Sequence, residues 1–196
     1  MKILTIRLRN INSLKGDWEI DLTDRRYDES GIFAITGPTG SGKTSILDAV
    51  TLALYGRTPR IASIGKTNEV MTRGAGSCFA EVVFRVSGVR YKADWEQRRA
   101  RKKADGTLQN AQKNLYRDDG AGNWLPIADK SAVPGKVEEL TGMDFDRFTR
   151  SVLLAQGGFT AFLKAKPDDR AVTLEKLTGT EIYSEISMAV QRRFSA

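Results

Sequence analysis

Hydrophobic and polar positions alternate from the start of the chain: Leu4, Ile6 and Leu8 stand between polar neighbours, and so do Trp18, Ile20 and Leu22. A period of two predicts two half-buried strands, joined through residues 10–16. A polar stretch over 27–31 leads into an apolar run predicted as a buried strand, residues 31–36. The period then lengthens. Ile46, Leu47, Val50 and Leu54 recur at helical spacing until Gly56 and Pro59 stop the helix, and these aliphatics are expected in the core. Alternation returns over 79–86, with Ala80, Val82, Phe84 and Val86 on one face and Glu81 and Arg85 on the other. Ser87-Gly88 reads as a hairpin turn into a return strand with Val89, Tyr91, Ala93 and Trp95. Segments at 114–117 and 123–127, on either side of Asp118-Asp119-Gly120-Ala121-Gly122, complete an antiparallel meander. Trp18, Trp95 and Trp124 each fall within a strand pattern and are expected to pack rather than to stack on bases.

Beyond Pro134 the pattern is helical. Val137 and Leu140 mark one short helix ended by Thr141-Gly142, and Phe145, Phe148, Val152 and Leu153 mark another. Leu174 and Leu177 precede a Thr178-Gly179 break, after which Ile182, Tyr183, Ile186 and Val190 form an apolar stripe. No stop signal follows that stripe before Ala196, so the natural chain is expected to continue.

The junction between the predicted buried strand and the first helix carries the chemistry. Residues 37–44 read Gly-Pro-Thr-Gly-Ser-Gly-Lys-Thr, a full match to the phosphate-binding pattern G-x-x-x-x-G-K-[ST]. Apolar residues 32–35 deliver the chain, glycines let backbone N–H groups curl round an anion, and the helix aims its positive end at the phosphates. Side chains at Gly40 and Gly42 would crowd those phosphates. Lys43 is expected to reach the β- and γ-phosphates and the Thr44 hydroxyl to hold Mg²⁺. The candidate nucleotide contacts are Gly37, Pro38, Thr39, Gly40, Ser41, Gly42, Lys43, Thr44 and Ser45. The fold class expected from strand, loop, helix and meander is α/β, of the P-loop nucleoside triphosphatase type.

One component is missing. Such an ATPase normally ends another buried strand in an acidic residue that holds the metal. Downstream of Thr44 no run of four apolar residues ends in Asp-Glu: Val82-Val83-Phe84 runs into Arg85, and Leu125 to Asp129 carries Pro126. The chain therefore reads as part of an ATPase. GTP specificity is unsupported, since the D-x-x-G matches at Asp28 and Asp119 are followed by no Asn-Lys-x-Asp.

Composition narrows the alternatives. At 196 residues, 40% hydrophobic and 28% charged, the chain suits one globular domain or slightly more. No stretch approaches transmembrane length and no signal core is present, so a cytoplasmic, nucleoid-associated protein is expected, with no membrane partner. Cys78 stands alone, which precludes an internal disulfide. The chain has no histidine, which removes histidine general bases, Ser-His triads and most zinc sites. A net charge of +7 suits a polyanionic partner. Its densest cluster, Arg98, Arg99, Arg101, Lys102 and Lys103, is either a solvated hairpin tip or a finger that contacts DNA phosphates without sequence preference.

Several motifs closely resemble the bacterial SbcC family, in the SMC-like branch of the ABC-type ATPases. They are Met1-Lys2-Ile3-Leu4, residues 10–16 (Asn-Ile-Asn-Ser-Leu-Lys-Gly), residues 33–44, residues 148–157 (Phe-Thr-Arg-Ser-Val-Leu-Leu-Ala-Gln-Gly), Leu163-Lys164-Ala165-Lys166-Pro167 and Leu177 to Tyr183. The resemblance spans essentially the whole chain. It implies an N-terminal lobe of an ATPase head over residues 1–170 and the helical root of a coiled coil over 171–196. The acidic strand, the catalytic glutamate and the Ser-Gly-Gly signature would then sit on a C-terminal lobe. Gln156-Gly157-Gly158 is no such signature, because Gln stands in place of Ser. Gln156 instead matches the glutamine loop, which would ligate Mg²⁺ or orient the attacking water, so Lys43 and Gln156 are the implied catalytic residues. Thr72 and Arg73 would meet the adenosine end of ATP. Many relatives hold an arginine where this chain has Asn12, and Arg57 and Arg60 would line the pocket or cap the helix. Implied partners are the C-terminal lobe, an SbcD-like nuclease subunit, a second ATPase head and double-stranded DNA. The alternatives are a self-contained P-loop kinase, which needs its acceptor base within these residues, and a non-catalytic nucleotide-binding DNA scaffold.

Overall fold

The computed structural model describes residues 1–24, 27, 35–61, 64 and 67–151. The chain divides into two compact units, Met1–Asp144 and Phe145–Ala196. In the second, the described residues form one helix, α3 (Phe145–Ser151), where the Thr149 hydroxyl donates back to the Phe145 carbonyl at 2.9 Å.

The first unit is built on a six-stranded sheet. Strands β1 (Lys2–Ile11) and β2 (Leu14–Asp21) pair antiparallel, with Ile6 opposite Ile20 and Leu8 opposite Trp18. Their turn uses Asn10 and Asn12 at φ 51° and 49°, a left-handed region that asparagine tolerates better than most residues. The chain then makes helix α1 (Lys43–Tyr55) and returns as β3 (Ser77–Val86), which lies beside β1. Strands β4 (Val89–Arg98), β5 (Gln112–Asp118) and β6 (Trp124–Asp129) extend the sheet as a meander, in the order β2-β1-β3-β4-β5-β6, and every pairing is antiparallel. The expected Ser87-Gly88 turn has both central residues at positive φ, 48° and 84°, which twists the hairpin in the sense its strands require. Pro126 falls on β6, an edge strand, where a missing backbone donor is tolerated.

One face of the sheet is the core. Leu4, Ile6 and Leu8 of β1, Ala80, Val82 and Phe84 of β3, Tyr91, Ala93 and Trp95 of β4 and Leu115 of β5 are buried, as period two requires. Helix α1 packs on β1, β3 and β4, and helix α2 (Ala132–Thr141) packs on α1, β5 and β6. The second neighbour explains a difference from expectation. Val50 and Leu54 are core residues as predicted, but Ile46 and Leu47 are only half-buried, while every residue from Asp48 to Tyr55 is buried. Full burial of Leu52 and Leu54 stabilises the unit by about 1.5–3 kcal/mol each. Gly56 ends α1 at φ 70°, its N–H donating to the Leu52 carbonyl at 2.8 Å.

The opposite face is polar. Arg7 lies between Glu19 and Glu81, at 3.2 Å from each, and this contact leaves Glu81 buried rather than solvated. The tryptophans diverge. Trp95 is a core residue, whereas Trp18 is 50% exposed, since β2 is the opposite edge of the sheet. Trp124 carries the Lys92 ammonium and the Arg90 guanidinium at 5.1 and 5.7 Å from its ring centre.

Most of the predicted strand over 31–36, the apolar stripes beyond residue 151 and the boundary near residue 170 lie outside the described residues. Among the described residues no helix is long and apolar enough to cross a membrane.

Candidate functional site

The glycines of residues 37–44 shape the loop. Gly40 and Gly42 adopt φ 84° and 93°, and Gly42 is the residue from which α1 starts. A Cβ on Gly42 would lie 2.5 Å from Leu14 Cδ2, whereas one on Gly40 would meet no protein atom within 4 Å. Leu14 belongs to β2, so the β1–β2 turn backs the loop. The Ser41 N–H donates to the Pro38 carbonyl at 3.2 Å, closing the turn.

At the start of α1 the backbone donors have no side-chain cap, and no acidic residue occupies the first turn. Such a start attracts an anion, because the first N–H groups point along the positive end of the helix dipole. Lys43 adds a cation there. Its ammonium donates to the carbonyls of Gly37 and Pro38 at 2.7 and 2.8 Å. Thr44 is half-buried one position on, and its hydroxyl makes no hydrogen bond among the described residues; Ser45 is buried. Pro38, Thr39 and Ser41 are exposed. This donor set fits a polyphosphate: curled backbone N–H groups, one ammonium and one hydroxyl of the type that ligates Mg²⁺.

The other expected site residues are placed differently. The Thr72 hydroxyl donates to the Asn12 carbonyl at 2.8 Å, while Arg73 beside it is exposed. Arg60 neither caps α1 nor stands free, because its guanidinium donates to the Asp48 carboxylate. The amide of Asn12 donates to the same carboxylate at 2.9 Å. Asp48 is 2% exposed, and no motif in the sequence singles it out. The one signal is a carboxylate set among apolar residues of a helix, one turn beyond Thr44. Gln156 lies outside the described residues.

The basic cluster forms a compact loop rather than an open hairpin tip. A 3-10 turn, Ala100–Lys102, places Arg101 and Lys102 at φ 55° and 53°, and Arg99 donates to the Gly106 carbonyl at 3.2 Å. Arg98, Arg101, Lys102 and Lys103 are exposed. Beneath them the Asn68 amide donates to Gln97 Oε1 at 2.7 Å and to the Cys78 sulfur at 3.2 Å. Burial pushes the Cys78 thiol up to about 12, which makes it a packed group and no nucleophile at neutral pH.

The family model described as AAA domain matches residues 5–191. The chain belongs to the AAA domain family. Its sequence is 46% identical to the SbcC subunit of the SbcCD nuclease of Pseudomonas aeruginosa, over 100% of this chain and 17% of that relative. It is 32% identical to the DNA double-strand break repair Rad50 ATPase of Methanocaldococcus jannaschii, over 94% of this chain and 16% of that one. The SbcC resemblance read from the motifs is thus matched along the whole chain. A solved structure described as "Structural biochemistry of ATP-driven dimerization and DNA stimulated activation of SMC ATPases" superposes with a TM-score of 0.55, covering 90% of this chain and 99% of that one. At 17% identity that likeness shows the fold alone, α/β as expected. The chain spans 17% of the length of the first curated relatives it matches.

Proposed function

We propose that this chain binds ATP with Mg²⁺ through residues 37–45 and is the nucleotide-gripping lobe of an SbcC-like ATPase in a DNA end-processing nuclease. The observation that carries the reading is the start of α1, where Lys43 and Thr44 follow an uncapped glycine turn. The names of the relatives support the setting, since they place such chains in a nuclease complex and in double-strand break repair.

Each residue then has a task. The backbone donors and Lys43 hold the phosphates and stabilise charge on the group being transferred. Thr44 and Gln156 would hold the metal, which would supply positive charge to offset the phosphates. Gln156 also helps to place water, and Thr72 and Arg73 meet the adenosine end. The Thr72 hydroxyl would do so only by leaving Asn12, so Arg73 is the freer of the two. Residues 1–170 form the lobe and 171–196 start a coiled coil. Hydrolysis draws its acidic residues from polypeptide beyond these 196, and two heads close over ATP and admit an SbcD-like subunit to double-stranded DNA in the cytoplasm.

The test is ATP hydrolysis by the full-length protein with its nuclease partner. Changing Lys43 to Ala should abolish hydrolysis and ATP-dependent head association. Undiminished turnover in that variant would refute the assignment.

A further inference from the structure

Two side chains from outside helix α1 converge on one buried carboxylate. Asp48 lies on α1 and is 2% exposed; Asn12, in the β1–β2 turn, and Arg60, beyond α1, both donate to it. Asn12 is itself fixed on both sides. Its N–H donates to the Val70 carbonyl at 2.7 Å, its carbonyl accepts from the Thr72 hydroxyl, and the Thr72 N–H donates to the Asn10 carbonyl at 2.9 Å. A buried carboxylate is costly unless paired, so α1 holds Asn12 and Arg60 with the strength of a charge that has nowhere else to go.

The turn held in this way is the one whose Leu14 packs against Gly42. Asp48 stands four residues after Thr44 and five after Lys43 on the same helix. The position of the helix start relative to the turn behind it therefore depends on Asp48, and so does its position relative to residues 72–73.

We propose that Asp48 is a positioning residue for nucleotide: through Asn12 and Arg60 it locks the β1–β2 turn and the Thr72-Arg73 segment to α1, so that the phosphate loop is held open in a geometry ready for ligand. The inference rests on the ATP-binding reading of the loop. It adds that part of the affinity is set by a carboxylate that touches no ligand. Removing the lock costs affinity because a misplaced loop must be ordered by the ligand itself.

The experiment uses the full-length protein with its nuclease partner and ATP·Mg²⁺, reading binding, KM, kcat and melting temperature without nucleotide. In Asp48→Asn the dissociation constant and KM should rise about tenfold while kcat at saturation stays within about threefold, a split that loss of folded protein alone does not produce. Asn12→Ala should move the same way, and the Asp48→Asn/Asn12→Ala double variant should be little worse than either single one, since both cut one connection. Should Asp48→Asn fail to fold, Arg60→Ala takes its place, because that side chain is 55% exposed and its removal leaves the carboxylate bonded to Asn12. Arg60→Lys should recover part of the affinity. A dissociation constant unchanged within about twofold in these variants, with Lys43→Ala still losing ATP, overturns the positioning role alone. Wild-type protein that binds ATP no better than Lys43→Ala overturns the nucleotide reading beneath it.

Discussion

Leu14 packs against Gly42 so closely that a single added carbon would lie 2.5 Å from its Cδ2. The glycine is required there by contact as well as by φ. Gly40, at a similar φ, faces open space. Gly40→Ala should cost about 1–2 kcal/mol from the left-handed backbone alone. Gly42→Ala should cost more, and Leu14→Ala in the same chain should recover part of the excess. Thermal melting of the three variants checks the order; equal losses at the two glycines would contradict it.

Asp94 stands opposite Glu81 on the polar face of the sheet. Burial raises its carboxyl above the usual range, and hydrogen bonds from Asn114 and Tyr116 offset this only in part. A group whose folded pKa is raised binds its proton more tightly when folded, so its contribution to stability grows as pH falls through that pKa. Asp94→Asn should therefore stabilise the protein at neutral pH, because an amide is buried there at less cost than a carboxylate. The advantage over wild type should disappear in acid. Denaturant titrations at pH 7 and pH 4 measure it, and an advantage that grows in acid would contradict the assignment.

Cys78 has no exposure, and burial holds its thiol neutral. A thiol reagent at neutral pH should react with it only at the rate of unfolding. Because the folded pKa lies above the unfolded one, stability should also fall as pH rises past the ordinary thiol range, and Cys78→Ala should lessen that fall. Fast stoichiometric labelling of the folded protein would show that the packing is looser than described.

The basic loop is clamped to the start of β3. A Cβ on Gly76 would run into the Lys102 carbonyl oxygen, so Gly76→Ala must displace the loop. If its exposed cations bind DNA phosphates, replacing Arg101, Lys102 and Lys103 by Ala should flatten the dependence of log affinity on log salt by about 0.9 for each phosphate no longer held. A slope unchanged from wild type would leave the cluster as a solvated surface.

Much of the first unit was legible because burying one face of a sheet imposes period two, which β1 and β4 obey closely while the edge strands β2 and β6 do not. Helix α1 was legible in place but not in face, since packing by both the sheet and α2 erases the stripe that a half-buried helix shows. The phosphate loop was legible because its residues are contiguous. Asp48 was not, as its partners Asn12 and Arg60, and Thr72 behind them, are scattered along the chain and only the fold assembles them. Trp18 misled for a related reason: alternation marks a strand, but not which strands become edges. Gln156 and the proposed coiled-coil root remain sequence readings.

The central claim is that residues 37–45 grip a nucleotide whose hydrolysis needs polypeptide outside these 196 residues. The most direct measurement is equilibrium binding of ATP·Mg²⁺ to this chain and to its Lys43→Ala variant, with phosphate release followed in the same samples. Binding by the wild type, weakened at least about tenfold in Lys43→Ala as loss of a charge-assisted hydrogen bond implies, with negligible release from either, is the predicted result. Equal binding by the two proteins, or turnover by the chain alone at the median pace of enzymes, about 10 per second, would contradict it.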